Sequence, residues 1–206
     1  MSLPTAKLTL VIGTRNLSSW SLRPWLAMTH AGLDFETIEL PLDTPEYYRR
    51  IELYSPTRRV PVLLNGPQHV WDSLAICEYV HELSGGKGWP TDVPARAWAR
   101  SVSAEMHSGF QALRTCWPMN AKARDLQVAA TPDVLNDISR IDAIWNEARA
   151  THADRGPWLF GDYSIADAMY APVVLRFNSY AAQVSIVAQE YMATTLSDSH
   201  LQHWMR

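Results

Sequence analysis

The sequence predicts an α/β domain with the element order βαβαββα, followed by an all-helical domain. Three observations predict it. Strand-like segments, short and β-branched or alternating in polarity, all fall before residue 72. Gly85 to Pro94 (GGKGWPTDVP), with three glycines and two prolines, then interrupts the pattern. Beyond it, apolar residues recur at three- and four-residue spacing and no convincing strand appears. The expected divisions are residues 1–84, a linker over 85–94, and a helical domain over 95–206.

The elements follow in order. Lys7 to Ile12 (KLTLVI) is a strand rich in β-branched residues. Ser21 to Ala31 is a helix carrying Leu22, Trp25, Leu26 and Met28, stopped by Gly32. Ser21 reads as its N-cap, which puts Pro24 at N3, where a missing N–H costs nothing. Phe35 to Leu40 alternates like a strand, and Pro45 to Leu53 is a short helix. Val60 to Leu64 and His69 to Trp71 form a hairpin across Asn65-Gly66-Pro67. Asp72 to Leu83 is a helix closed by Gly85-Gly86.

In the second half, Ala95, Trp98, Val102, Met106, Gly109 and Leu113 mark the core face of one helix. Thr131-Pro132 opens the next, with an N-cap threonine and proline at the first position. Val134, Ile138, Ile141, Trp145 and Ala148 form its apolar stripe. Ser164-x-x-Asp167 reads as a capping box with Asp in place of Glu. Pro172 is expected to kink the helix it starts.

Composition excludes several classes. The chain has 206 residues, 47% apolar and 19% charged, an ordinary globular mix able to bury a core. A net charge of -3 argues against a nucleic-acid partner. Cys77 and Cys116 form no Cys-x-x-Cys, so neither a disulfide framework nor a metal site is expected. Cys77 sits among apolar neighbours and reads as a buried structural cysteine. No apolar run approaches ~18 residues, so no membrane span is expected. The apolar run near the N-terminus is too short for a signal peptide, and a cytoplasmic location is expected. Most of the nine tryptophans should pack in the core, with some lining pockets or interfaces.

Residues 16 to 25 (NLSSWSLRPW) hold the densest polar chemistry. Ser18, Ser19 and Ser21 crowd the start of a helix, directly after an apolar strand. They suit turn and cap positions, and equally a ligand that needs hydroxyl donors beside a helix N-terminus. Asp72-Ser73 opens another helix with similar chemistry, or is a simple cap pair. Ser103, His107, Gln111 and Arg114 make a polar stripe opposite Trp98 and Met106, which fits a solvated face or a cleft wall.

Four stretches in this order and spacing carry a family resemblance: NLSSWSLRPW, RRVPVL at 58–63, DSLAICEYV at 72–80 and FGDYSIADAMYAP at 160–172. Over nearly its whole length the chain resembles the cytosolic glutathione S-transferases. The serine cluster is similar to the Ser-Ser-Cys-Ser-x-Arg pattern of the zeta-like classes. Trp20 stands where that pattern has cysteine, and Trp25 where it has a second arginine. The resemblance implies a thioredoxin-like first domain, a homodimer and glutathione as co-substrate, without a metal. Trp89 and Trp98 are expected to be exposed and available to the dimer contact.

Its chemical content is activation of the glutathione thiol. An ordinary thiol has a pKa of roughly 8.5 and is only a few per cent thiolate at neutral pH. Lowering it by about two units takes roughly 2.7 kcal/mol of preference for the thiolate. A donated hydroxyl and a helix N-terminus together are of that size. The resemblance assigns the sulfur contact to Ser18, with Ser19 and Ser21 as alternatives. It puts Ser19, Trp20, Ser21 and Arg23 in the glutathione site as well. It further implies a cis Val60–Pro61 bond that turns the Val60 backbone toward glutathione. Arg59 would pair with the glycine carboxylate, Ser73 with the γ-glutamyl carboxylate, and Asp72 with the ammonium. Gln111 matches a further glutathione contact, and His107, Arg114 and Trp117 fall near the electrophile pocket. The expected function is transfer of glutathione to a small hydrophobic electrophile, a detoxification chemistry. The alternatives are a zeta-like, maleylacetoacetate-type cis–trans isomerase and a non-catalytic protein of the same fold that binds glutathione or a partner.

Overall fold

The computed structural model describes residues 7–206. Residues 1–6, which the expected first domain includes, lie outside the described residues. Four strands, β1 (Leu8–Gly13), β2 (Phe35–Leu40), β3 (Val62–Asn65) and β4 (Gln68–Trp71), form one sheet of order β2-β1-β3-β4. β1 runs parallel to β2 and antiparallel to β3, which pairs antiparallel with β4.

Period-two alternation along β1 builds both faces of this sheet. Leu10 and Ile12 join a core with residues of α1 (Ser19–His30) and α3 (Ser73–Leu83). Val11 points the other way, toward Tyr47 and Ile51 of α2 (Pro45–Ile51). The result is a thioredoxin-like βαβαββα unit followed by a helical bundle. The bundle comprises α4 (Val93–Ser108), α5 (Gln111–Cys116), α6 (Pro132–His152), α7 (Ile165–Ser179), α8 (Ile186–Ser197) and α9 (Ser199–Met205).

α7 is the axis of the bundle. It is buried on nearly every side and packs against α1, α4 and α8. Its start is fixed by Asp167, whose Oδ2 accepts the backbone N–H of Ser164 at 2.8 Å and its hydroxyl at 3.1 Å. Oδ1 accepts the Leu159 N–H at 3.0 Å and the Tyr191 hydroxyl at 3.1 Å. Burial outweighs these bonds and pushes the Asp167 carboxyl up to about 6. On α6, Thr131 accepts the Val134 N–H as N-cap, and all five residues of the expected apolar stripe are buried.

Several expectations are corrected. Ser18, not Ser21, caps α1, so Ser21 falls at N3 and Pro24 lies inside the helix. Ser21 is drawn in because its Oγ accepts the Gly13 N–H at 3.1 Å and the Ser18 hydroxyl at 2.7 Å. β3 starts at Val62 rather than Val60; Pro61 has no N–H to give a ladder.

The single helix expected over residues 95–113 is broken into α4 and α5. Gly109 is extended and Phe110 is left-handed at φ 59°. Arg114 reaches back to the carbonyls of Gly109 and Met106, which the break would otherwise leave unpaired. α7 continues through Pro172 to Ser179, so the proline does not end it. Trp89 and Trp98 are not free surface. Trp89 is buried and donates Nε1–H to Glu78 under Arg100, and Trp98 packs on Phe160 and His152.

Candidate functional site

A cleft of about 530 Å³ opens where the sheet meets α4. Trp20, Thr57, Arg59, Val60, Pro61, Trp71, Asp72, Ser73 and His107 line it. The Val60–Pro61 peptide bond is cis. Arg59 beside it is exposed, and its backbone N–H donates to Ser55 Oγ at 3.2 Å.

The α3 end of the cleft rests on Asp72. Its backbone, at φ 76° and ψ 133°, is outside the left-handed helical region and strained for a residue with a Cβ. Oδ1 accepts the N–H groups of Leu74 and Ala75 at 2.9 and 3.2 Å. Oδ2 meets His107 Nε2 at 3.2 Å, which ties α3 to α4 across the cleft. Burial lowers the His107 pKa; Asp72 opposes this, while Arg23 and Arg114 add to it. Lowered from its ordinary value, the imidazole is mostly neutral at neutral pH. Ser73 is 1% exposed, and its Oγ has no partner in the protein.

At the α1 end, the three serines have different surroundings. Ser21 is fully buried, and its Oγ accepts from the Gly13 N–H and the Ser18 hydroxyl. Ser18, 5% exposed, gives its hydroxyl to Ser21 and accepts the Ser21 N–H at 3.4 Å. Ser19 accepts from Arg176 Nη2 of α7 at 3.3 Å. The other nitrogens of Arg176 are held by the carbonyls of Trp117 and Pro172.

The loop before Ser18 is anchored from the helical domain. Ala121 and Lys122 donate their N–H groups to Asn16, at 3.0 Å to the carbonyl and 2.9 Å to Oδ1. Trp204 Nε1 of α9 donates to the Arg15 carbonyl at 3.0 Å.

Trp20 is 37% exposed and lines the cleft. Its ring lies 4.4 Å from Arg23 Cζ and 4.7 Å from Arg114 Cζ, with the His107 ring edge-on at 5.4 Å. Arg23 is fully buried, and none of its three guanidinium nitrogens has a hydrogen-bond partner. Burial, then the charges of Arg114 and Arg176, disfavours its charge, but a guanidinium does not give up its proton in proteins.

The structure thus brings Trp20, Arg59, Val60, Pro61, Asp72, Ser73 and His107 together. Ser18 and Ser19 lie at the first turn of α1 rather than on the cleft wall, and Arg23 lies beneath it. Gln111 does not join the cleft, because the break after α4 turns it outward, where Nε2 donates to Thr115. Trp117 is also elsewhere, buried and stacked on Tyr180 at 5.0 Å. Arg114 contributes through Trp20 rather than as a lining residue. Thr57 and Trp71 line the cleft without having been singled out. Trp71 adjoins the DSLAICEYV stretch and was within reach of a sequence argument, whereas the Arg176–Ser19 contact had no local signal. Cys77 is fully buried and its thiol is pushed far up by desolvation. Among the described residues no cluster of His, Cys, Asp and Glu could hold a metal. Among them, too, no helix is long and apolar enough to cross a membrane.

Comparison with known proteins agrees with this geometry. Residues 17–83 match the family described as glutathione S-transferase, N-terminal domain. A Caenorhabditis elegans protein named a probable maleylacetoacetate isomerase is 31% identical over 100 residues, which is 48% of this chain and 46% of that protein. Protein IN2-1 homolog B of Oryza sativa subsp. indica is 25% identical over 165 residues, 78% of this chain and 62% of its own. The chain thus spans less than two thirds of the length of either relative. A glutathione transferase homolog from Burkholderia, solved with bound glutathione, superposes with a TM-score of 0.71. Its identity is 23%, and the match covers 96% of both chains.

Proposed function

We propose that this chain belongs to the glutathione S-transferase superfamily, whose N-terminal domain its residues 17–83 match, and that it binds glutathione in the cleft and directs its thiolate at a small electrophile. The observation that carries the reading is the start of α3. There a buried hydroxyl, Ser73 Oγ, has no protein partner beside a carboxylate, Asp72, that borders the same cleft. A group carrying a carboxylate and an ammonium on one carbon, as the γ-glutamyl end does, satisfies both.

The rest of the tripeptide follows from that anchor. Its backbone lies along Val60, and its glycine carboxylate reaches Arg59. The thiol then falls toward the N-terminus of α1, whose partial positive charge favours the thiolate. Ser18 is the proposed hydroxyl donor; it must release Ser21 to make that bond. One observation favours Ser19 as the alternative: Arg176 donates to its Oγ, which leaves its own O–H uncommitted. Ser21 is dropped as a donor, since it is sealed inside. The electrophile enters over Trp20 and His107; Trp117 has no part in this pocket. A homodimer and a cytoplasmic location accompany the reading through the resemblance.

Calorimetric titration with glutathione tests the reading. Ser73→Ala should weaken binding roughly 10- to 150-fold, the loss of one hydrogen bond to a charged group. Wild-type protein that takes up no glutathione at millimolar concentration would sink it.

A further inference from the structure

Unpaired buried polar atoms gather in one place in this molecule. Among the described residues, eleven buried side-chain nitrogen and oxygen atoms have no hydrogen-bond partner. Seven belong to Arg23, Ser73, Ser103, His107 and Arg114. His107 faces Trp20 and pairs with Asp72 next to Ser73. Ser103 lies one turn before it on the same face of α4. Arg23 and Arg114 flank the Trp20 ring at 4.4 and 4.7 Å. Four of the seven atoms are guanidinium nitrogens, which can only donate.

The charges here do not balance. Arg23, Arg114 and Arg176 stand against Asp72 and Asp137, and neither carboxylate hydrogen-bonds the Arg23 guanidinium. Cys77 nearby is a neutral thiol. A buried guanidinium without an acceptor is costly, and native proteins rarely leave one so. What these groups can accept is a compact anion with two or more oxygens, matched to the fork of Arg23.

We infer that Trp20 is the movable cover of a carboxylate-binding subsite whose principal donor is Arg23. Trp20 is partly exposed and is held by two cation–π contacts, which an entering carboxylate replaces with charge-assisted hydrogen bonds. The occupant is the carboxylate of an acceptor substrate or a free small carboxylate; the chemistry of recognition is the same. Its assignment to the acceptor rests on the proposed transferase reading, whereas the binding itself does not.

The test therefore uses no glutathione. Thermal unfolding is followed with 4-nitrobenzoate, with its uncharged isostere 4-nitrobenzamide, and with formate, at constant ionic strength and neutral pH. Wild-type protein should gain several degrees in Tm with the benzoate and little with the amide. Arg23→Met should raise the unliganded Tm, because an unpaired buried charge is gone, and should abolish the difference between the two probes. Should that variant not fold, Trp20→Ala on the cleft surface serves instead, with half-saturation at several-fold lower benzoate. Equal responses to benzoate and amide in the wild type would overturn the subsite. So would an undiminished difference in Arg23→Met, or unchanged half-saturation in Trp20→Ala. A response to formate equal to that of the benzoate upholds the subsite but overturns its role in holding an acceptor. Loss of the transferase reading through absent glutathione binding would leave each of these outcomes readable.

Discussion

Arg176 of α7 donates a hydrogen bond to Ser19 of α1 at 3.3 Å, joining residues 157 positions apart in the chain. The bond brings a cation of the helical domain to the turn where the thioredoxin-like unit starts its first helix. Burial, together with Arg114, lowers the Arg176 pKa to about 9, so the side chain is still charged at neutral pH. A hydroxyl that accepts from a cation is polarised toward donating its own proton.

This relationship separates the two candidate serines. If Ser18 donates to the sulfur, Ser18→Ala should return the bound thiol toward its ordinary pKa and slow turnover at neutral pH by roughly 10- to 150-fold. Glutathione affinity should barely change, because Asp72, Ser73 and Val60 hold the rest. Ser19→Ala should then be nearly silent. Titrating the thiolate absorbance of each complex against pH decides between them; a normal thiol in Ser19→Ala alone transfers the role to Ser19.

Asp167 gives a pH dependence of defined sign. Its folded pKa of about 6 lies above the ordinary carboxyl value, so the folded chain holds the proton more tightly than the unfolded one. Its contribution is full below about pH 4 and is lost as pH rises through about 6, by about 3 kcal/mol. Urea unfolding of wild type and Asp167→Asn across pH 4–7.5 should show this slope only in the wild type. Parallel curves would contradict it.

Asp198 behaves in the opposite sense. It caps α9 through the Leu201 N–H and meets His30 Nε2 of α1 at 3.1 Å. Burial alone would raise its pKa, but the His30 hydrogen bond and charge hold it below the ordinary value. The stabilisation is present above about pH 4 and is lost as pH falls further. Asp198→Asn should cost about 1–2 kcal/mol at pH 7, and that difference should vanish in acid. Equal stability of the two proteins at pH 7 would exclude the contact as a stabilising one.

The sequence by itself determined the order of elements and many of their ends. Thr131 caps α6 and Asp72 caps α3, and Ser164 with Asp167 fixes the start of α7, because caps use donors and acceptors within three residues of each other. The Asp72-Ser73 pair of the cleft was legible for the same reason, being local to a helix start, whereas the cis Val60–Pro61 bond was legible only through the family resemblance. What only the tertiary structure decided is how the serines differ and what lies under Trp20. Ser21 looks like a cap in sequence, yet Gly13 of the neighbouring strand claims its hydroxyl. Gln111 and Trp117 follow helical spacing from His107, but the left-handed turn at Phe110 carries them away from the cleft. Arg23, Arg114 and Arg176 meet near one another although the sequence scatters them across both domains. Their assembly depends on how α1, α5 and α7 are brought together, a property of buried surfaces far apart in the chain that no window of residues contains.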